Sequence, residues 1–163
     1  MKIVTEAFSG ATIEQAIEVW NQVVKEGVAF PQTECLTESS GMEFFMEQAF
    51  TGVAMDAKSG MVMGVYILHP NNVGRCGHIC NASYAVRSGC RGQGTGEALV
   101  RHCMGKAKEL GFRILQFNAV VASNAAALHL YKKLGFVQLG AIPGGFFMDN
   151  GQYEDIIPHY IVL

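Results

Sequence analysis

The run Gly92-Gln93-Gly94-Thr95-Gly96 constrains this chain more than any other stretch. Three alternating glycines follow Arg91 and the strand-like Tyr84-Ala85-Val86, and they precede Glu97-Ala98-Leu99-Val100, where a helical repeat begins. Glycine has no Cβ, so the backbone adopts φ values other residues resist and approaches a ligand closely. The helix start beside the turn offers unpaired N–H groups and the positive end of its dipole. Strand, glycine turn and helix together make an anion site, most naturally for phosphate. Two common owners fail on spacing. No lysine follows Gly94, which a Walker A loop requires, and the turn lies mid-chain with Glu97 where a dinucleotide fingerprint needs glycine. A purely structural turn does not call for alternating glycines beside an arginine.

Composition narrows the partners. The chain has 163 residues, the size of one domain (1–163), with 50% hydrophobic and 16% charged residues, too apolar for disorder. Its net charge of −2 gives no case for nucleic acid or a membrane surface as partner. No apolar run approaches the roughly 20 residues of a membrane helix, and the N-terminus reads as a strand without a signal-peptide core. Five cysteines form an odd count without framework spacing, so reduced thiols and a cytoplasmic location are expected. Cys76, His78 and Cys80 match no usual zinc spacing, and no metal is expected.

The periodicities predict the order β-α-α-β-β-β-α-β-α-β-β, a mixed α/β (α+β) sheet with helices on both faces. Residues 2–8 read as a strand, and a Thr12/Gln15 capping box opens an amphipathic helix ending near Gly27. Pro31 lies in a loop, and a Ser40/Glu43 box opens a helix carrying Met42, Phe45, Met46 and Ala49. Strands follow at 53–57, 61–68 and 78–86, then the helix stopped by Gly111, an apolar central strand at 114–121 and a helix from Asn124 to Leu134. Strands near 136–142 and 153–163 close the chain, with a Gly/Pro/Asn-rich loop between them and Pro158 marking a bend or an edge.

The segment Arg91 to Gly96 resembles the Arg/Gln-x-x-Gly-x-Gly/Ala motif of the GCN5-related N-acetyltransferases (GNAT). Asn124-Ala125-Ala126-Ala127-Leu128-His129-Leu130-Tyr131, followed by Gly135-Phe136, is similar to that family's second signature. The likeness runs from about His78 to Gly140. It implies the acyl-CoA N-acyltransferase fold, with a six- to seven-stranded sheet split between its central strands, and acetyl-CoA as co-substrate. By this analogy the backbone of Gly92, Gln93, Gly94, Thr95 and Gly96 holds the pyrophosphate, with Arg91 adding charge and the Thr95 hydroxyl a hydrogen bond. The strand ending Tyr84-Ala85-Val86 pairs with the pantetheine arm, and Asn124, with Ala127 beside it, bonds that arm or braces the slot. Tyr131 is the implied general acid toward the departing thiolate; by spacing alone, Leu128, Tyr131 and Leu134 equally describe a core stripe.

The implied reaction moves an acetyl group onto the amine of a small molecule, an amino acid or amine-like metabolite. Direct attack on the thioester needs no acyl-enzyme, and no His/Asp set stands ready to activate Cys80 or Cys90. No base stands out among Glu34, Glu38, Glu43, Glu47 and His78. A backbone N–H near Ala85 or Val86 is expected to meet the oxyanion. Asn81 and Asn118 lie inside apolar strands, where asparagine is depleted. They either line the acceptor pocket or brace the split sheet. A peptide acceptor and a non-catalytic acyl-CoA sensor remain alternatives, and Pro143 to Met148 reads as an apolar pocket wall or a homodimer contact.

Overall fold

The computed structural model describes residues 2–163. Its strands are β1 (Ile3–Ala7), β2 (Phe50–Asp56), β3 (Val62–Pro70), β4 (Ile79–Val86), β5 (Ile114–Val121), β6 (Val137–Gln138), β7 (Ile142–Phe147) and β8 (Tyr153–Val162). Its α-helices are α1 (Ile13–Glu26), α2 (Glu38–Met46), α3 (Thr95–Glu109) and α4 (Ala125–Lys133). One sheet runs in the order β1-β2-β3-β4-β5-β8-β6, with β7 also paired to β8.

The β4–β5 pair is parallel; the others described are antiparallel. It is also the shortest of the central pairings. Only Ile79↔Ile114 and Cys80↔Leu115 are in register before the strands part. The expected split sheet is therefore present, and the side of β4 facing β5 has no strand partner beyond Cys80.

Each face carries its own core. On one, α1 buries Ala16, Val19, Trp20, Val23 and Val24 against Val53, Val62, Val65 and Ala85. This is the stripe a 3.6-residue period places on one side of a helix. Trp20 is 1% exposed, and its ring meets Phe30 at 4.4 Å, Phe44 at 5.2 Å and Phe45 at 5.9 Å. Truncating such a residue costs about 3–5 kcal/mol. On the other face, Leu99, Val100, Cys103 and Ala107 of α3 and partly buried Leu128, Leu130 and Tyr131 of α4 cover Tyr66, Leu68, Leu115 and Phe117.

Local signals differ from expectation at four places. The Thr12 hydroxyl turns back, accepting from the Ser9 N–H at 3.2 Å and donating to the Ser9 carbonyl at 2.9 Å. Gln15, freed from capping, accepts from the Val62 N–H at 2.9 Å and ties α1 to the sheet. The second box is Thr37/Ser40, three residues earlier than Ser40/Glu43, so α2 begins at Glu38. An N-cap needs extended φ/ψ, which Thr37 has at −89°/173°. The expected Gly/Pro/Asn-rich loop contains an eighth strand, β7, and only its far end turns. Gly145 makes this possible, since a Cβ there would lie 2.4 Å from the Ile156 side chain. Finally, Pro158 lies inside β8, flanked on both sides. It sits where β5 slips register between Phe117 and Val120, and where β6 gives way to β7. A residue without an N–H fits a break in both ladders.

Candidate active site

The parting of β4 from β5 opens a pocket of about 810 Å3. One wall is the C-terminal end of α1 and the chain after it, with Val23, Glu26, Val28 and Ala29. Across from it stand Ser123 to Ala127, His129, Leu130, Tyr131 and Lys133 of α4 and its approach, while Tyr84, Val86, Arg91, Gly92, Gly94, Gly96, Glu97 and Val100 complete the lining.

The glycine turn has the conformation its sequence requires. Gly92 and Gly94 take φ of +72° and +86°, with nothing within 4 Å of where a Cβ would stand. Gly94 is the N-cap of α3 and offers no side chain to its first N–H groups. Those donors and the helix dipole are left for a ligand, and the donor set suits a pyrophosphate. The side chains of the turn brace it. Gln93 Nε2 donates to the Gly89 carbonyl at 2.9 Å. The Thr95 hydroxyl, expected to face the phosphate, donates to the Cys90 carbonyl at 3.3 Å, and Thr95 is 1% exposed. Its methyl and hydroxyl are drawn under the turn because α3 starts at this residue and packs on β3. A Cβ on Gly64 would meet the Thr95 methyl at 3.2 Å.

Arg91 lines the mouth, and one guanidinium nitrogen lies 2.8 Å from each carboxylate oxygen of Glu26. Glu97 bridges Arg101 and Lys133, and the hydrogen bonds from those two cations hold its carboxyl below the usual range. Asn124 caps α4, its Oδ1 accepting from the Ala127 N–H at 3.2 Å, which leaves its NH2 group for a ligand. Ala127 lines the pocket by its side of that cap. Ala85, expected at the slot, is fully buried in the α1 core, and its backbone groups face Val65 of β3, so the groups β4 turns to the slot are those of Tyr84 and Val86.

Tyr131 lies against Phe117 (ring centroids 4.5 Å), Phe136 (5.4 Å) and His159 (5.7 Å) while lining the pocket. The core-stripe and pocket readings of its spacing thus describe one side chain. Burial pushes its phenol well above the ordinary value, with the nearby Cys103 thiol adding to the rise. Tyr84 lines the same pocket, but its hydroxyl is buried without a hydrogen-bond partner, and burial raises its pKa as well.

Asn81 and Asn118 lie outside that lining, on the α1/α2 face of the sheet. They alternate with Cys80, Ala82, Leu115 and Phe117, which point into the α3/α4 core. Asn81 Oδ1 accepts from the Ala82 N–H at 2.8 Å. Asn118 Nδ2 donates to Asn71 Oδ1 at 2.7 Å, while its Oδ1 accepts from Gln116 Nε2 at 3.0 Å and Asn71 Nδ2 at 3.3 Å. Asn71 and Gln116 were not singled out in the sequence. None of Glu34, Glu38, Glu43, Glu47 and His78 lines the pocket; Glu38 and Glu43 border a separate open groove on α2 with Met42 and Met46.

The sequence model of the acetyltransferase (GNAT) family matches residues 18–136. The chain belongs to the GNAT family. Acetyltransferases of this family take their acetyl group from acetyl-CoA, and two acetyltransferase structures of the same fold, at 17% and 21% identity, were solved with acetyl-CoA. A GCN5-related N-acetyltransferase from Kribbella flavida superposes with a TM-score of 0.90 at 29% identity, covering 99% of this chain and 98% of that one. The chain is 27% identical to the Schizosaccharomyces pombe N-acetyltransferase aca1 over 75% of its own length, spanning 66% of that relative. It is 26% identical to the putative phosphinothricin acetyltransferase YwnH of Bacillus subtilis, over 87% of this chain and 88% of that protein. It is also 30% identical to the spermidine N(1)-acetyltransferase of Vibrio cholerae, over 68% of this chain and 61% of that protein.

Proposed function

We propose that this GNAT domain transfers the acetyl group of acetyl-CoA to the amine of a small molecule that carries a carboxylate, an amino acid. The supporting observation is the polarity of Asn81. Its oxygen is spent on the Ala82 backbone N–H, which fixes the amide and leaves its NH2 group to offer, while Asn118 on the neighbouring strand bonds to the amides of Asn71 and Gln116. Donors without acceptors suit a carboxylate and give a polycation nothing to bind. A phosphinothricin acetyltransferase relative fits this reading better than a spermidine acetyltransferase relative.

In the reaction we envisage, the N–H groups of Gly92 to Gly96 and the start of α3 hold the pyrophosphate beside Arg91. The unpaired side of β4, where Tyr84 and Val86 turn their backbone groups away from β3, takes the pantetheine arm as a neighbouring strand, with the Asn124 NH2 group beside it. The neutral amine attacks the thioester carbon, and the C–N bond forms to give a tetrahedral oxyanion met by the Val86 N–H of β4; the oxyanion then collapses and the C–S bond breaks. Tyr131 gives its proton to the leaving sulfur and regains one from solvent, which also takes the proton that the attacking nitrogen loses as the amide forms. A raised phenol pKa keeps Tyr131 protonated until then. The cysteines are poor acyl carriers: burial pushes Cys80 up to about 11, its thiol donates to the Ile114 carbonyl at 3.3 Å, and Cys90 is 5% exposed.

The free, exposed thiols of Cys35 and Cys76 support a reducing, cytoplasmic setting. Exposed Val137, Leu139, Ile142 and Phe147 along β6 and β7 support a homodimer through that edge.

The test is a panel assay. The proteinogenic L-amino acids, their carboxamides and spermidine are offered with acetyl-CoA, and released thiol is measured. At least one free amino acid should turn over, its carboxamide at least tenfold more slowly. Asn81→Ala and Asn118→Ala should raise the amino acid KM and leave that of acetyl-CoA unchanged. Equal turnover of acid and carboxamide, or preference for spermidine, rejects the substrate class. No stabilisation by saturating acetyl-CoA in a thermal-shift titration rejects the donor.

A further inference from the structure

The Tyr84 hydroxyl is buried and meets no hydrogen-bond partner. Its ring lines the slot, while its oxygen lies out of reach of solvent beside the α3/α4 core. An unmade hydrogen bond of this kind destabilises a fold, and phenylalanine would fill the place without the penalty. The Cys103 thiol stands near enough to shift the titration of this phenol, but sulfur is a weak acceptor and the two do not meet hydrogen-bond geometry.

The second phenol of the slot is close by. Tyr84 and Tyr131 both line the pocket, and both rings rest on Phe117, Tyr84 edge-on at 5.8 Å between centroids and Tyr131 tilted at 4.5 Å. Both pack with Cys103 against the core under α3 and α4. Burial raises both phenols, and a charge on Tyr131 raises Tyr84 further. Tyr84 therefore keeps its proton when Tyr131 loses its own.

In the proposed reaction Tyr131 gives its proton to the leaving sulfur. The O–H bond breaks, an S–H bond forms, and the electron pair stays on the Tyr131 oxygen as a phenolate. A phenolate in an apolar site is stabilised best by a donor that has no other bond to break when the charge forms. We propose that Tyr84 is a positioning residue for the general acid: its unengaged hydroxyl turns its O–H dipole toward the Tyr131 oxygen as negative charge develops there. The Tyr84 proton is not transferred; only the hydrogen swings about the C–O axis. This rests on the reading of Tyr131 as the general acid, and it gives a use to a hydroxyl that the fold leaves unpaired.

Tyr84→Phe deletes that hydroxyl alone. It is assayed with acetyl-CoA and the acceptor turned over fastest in the panel, singly and combined with Tyr131→Phe. In the single variant kcat should fall about tenfold, the loss of one donor to a developing charge, with both KM values within twofold. The melting temperature should hold or rise, because the lost hydroxyl had no partner. In the Tyr131→Phe background the same substitution should change kcat less than twofold, since it acts only through the phenolate.

A kcat of Tyr84→Phe within twofold of wild type overturns the proposal, and a lowered melting temperature beside it marks a structural hydroxyl. A raised acetyl-CoA KM with kcat unchanged also overturns it and leaves Tyr84 as a contact of the donor. So does a loss that persists undiminished in the Tyr131→Phe background. A hundredfold loss in Tyr131→Phe beside an unaffected Tyr84→Phe rejects this inference and keeps the general acid. Tyr131→Phe within threefold of wild type, or no thiol released with any acceptor of the panel, rejects both together.

Discussion

Arg91 and Glu26 close on each other across the mouth of the pocket, one guanidinium nitrogen 2.8 Å from both carboxylate oxygens. The arginine follows the strand that lines the slot; the glutamate is the last residue of α1. The pair is half exposed, so its own contribution to stability is at most about 1 kcal/mol. Its effect on an incoming pyrophosphate is larger, because the glutamate both orients the arginine and neutralises it. Arg91→Ala should raise the KM of acetyl-CoA about tenfold. Glu26→Gln should lower it, since the competing carboxylate is gone. Initial rates against acetyl-CoA at low salt measure both, and the two effects should shrink as salt screens the charges.

Tyr131→Phe keeps the aromatic contacts with Phe117 and Phe136 and removes only the hydroxyl. A general acid contributes about 10²–10⁴-fold. The variant should therefore lose at least about a hundredfold in kcat while both KM values stay within twofold. Because burial raises the phenol pKa, the wild type should show no alkaline fall in kcat from this group below about pH 10. A kcat within threefold of wild type would leave Tyr131 as a core aromatic.

The thiols divide into two classes. Cys35 and Cys76 are exposed and should react with a thiol reagent in the native protein. Cys80, Cys90 and Cys103 are buried and should react only on unfolding. Burial pushes Cys80 to about 11 and Cys103 to about 12, above the roughly 8.5 of an unfolded thiol. A raised native pKa means the unfolded chain loses its proton first. The stability tied to these groups is complete below about pH 8 and declines as pH rises toward the native values. Melting temperatures from pH 7 to 11 should fall less steeply in Cys80→Ala/Cys103→Ala than in wild type.

Two glycines separate binding from folding. An alanine at Gly94 meets no neighbour but must hold φ at +86°, a strain of about 1 kcal/mol on the turn. It should weaken acetyl-CoA binding at least tenfold, by calorimetry, with a melting temperature within a few degrees of wild type. At Gly52 the Cβ would lie 2.3 Å from the buried Tyr66 ring, which is fixed by the bond between its hydroxyl and His102 Nδ1 at 2.9 Å. Gly52→Ala should lower the melting temperature by 5 °C or more and act on binding only through the folded fraction.

Local features were legible from the sequence. The glycine turn, the α3 start and the Asn124-to-Phe136 register each depend on residues close in the chain, and each is where its spacing put it. The capping boxes slipped because Thr12, Gln15 and Ser40 all had competing partners, and only the backbone geometry chose between them. Strand β7 was hidden by its glycines and Pro143, which read as a loop until Ile156 fills the space over Gly145. Glu26 opposite Arg91 and Asn71 opposite Asn118 join residues 65 and 47 positions apart, and no periodicity reports such a pair. Asn71 lies between the strands expected at 61–68 and 78–86, where no periodicity marks it.

The β4–β5 junction consists of two rungs, Ile79–Ile114 and Cys80–Leu115. Strands β1 to β4 and strands β5 to β8 are thus two half-sheets held by a short seam and by the helices laid across it. A pantetheine arm lying along β4 would act as a removable ninth strand. Each catalytic cycle would then stitch the halves together and unpick them, so the backbone amides of Tyr84 and Val86, which face away from β3, should exchange with deuterium in step with donor occupancy, slow when it is bound and fast when it has left.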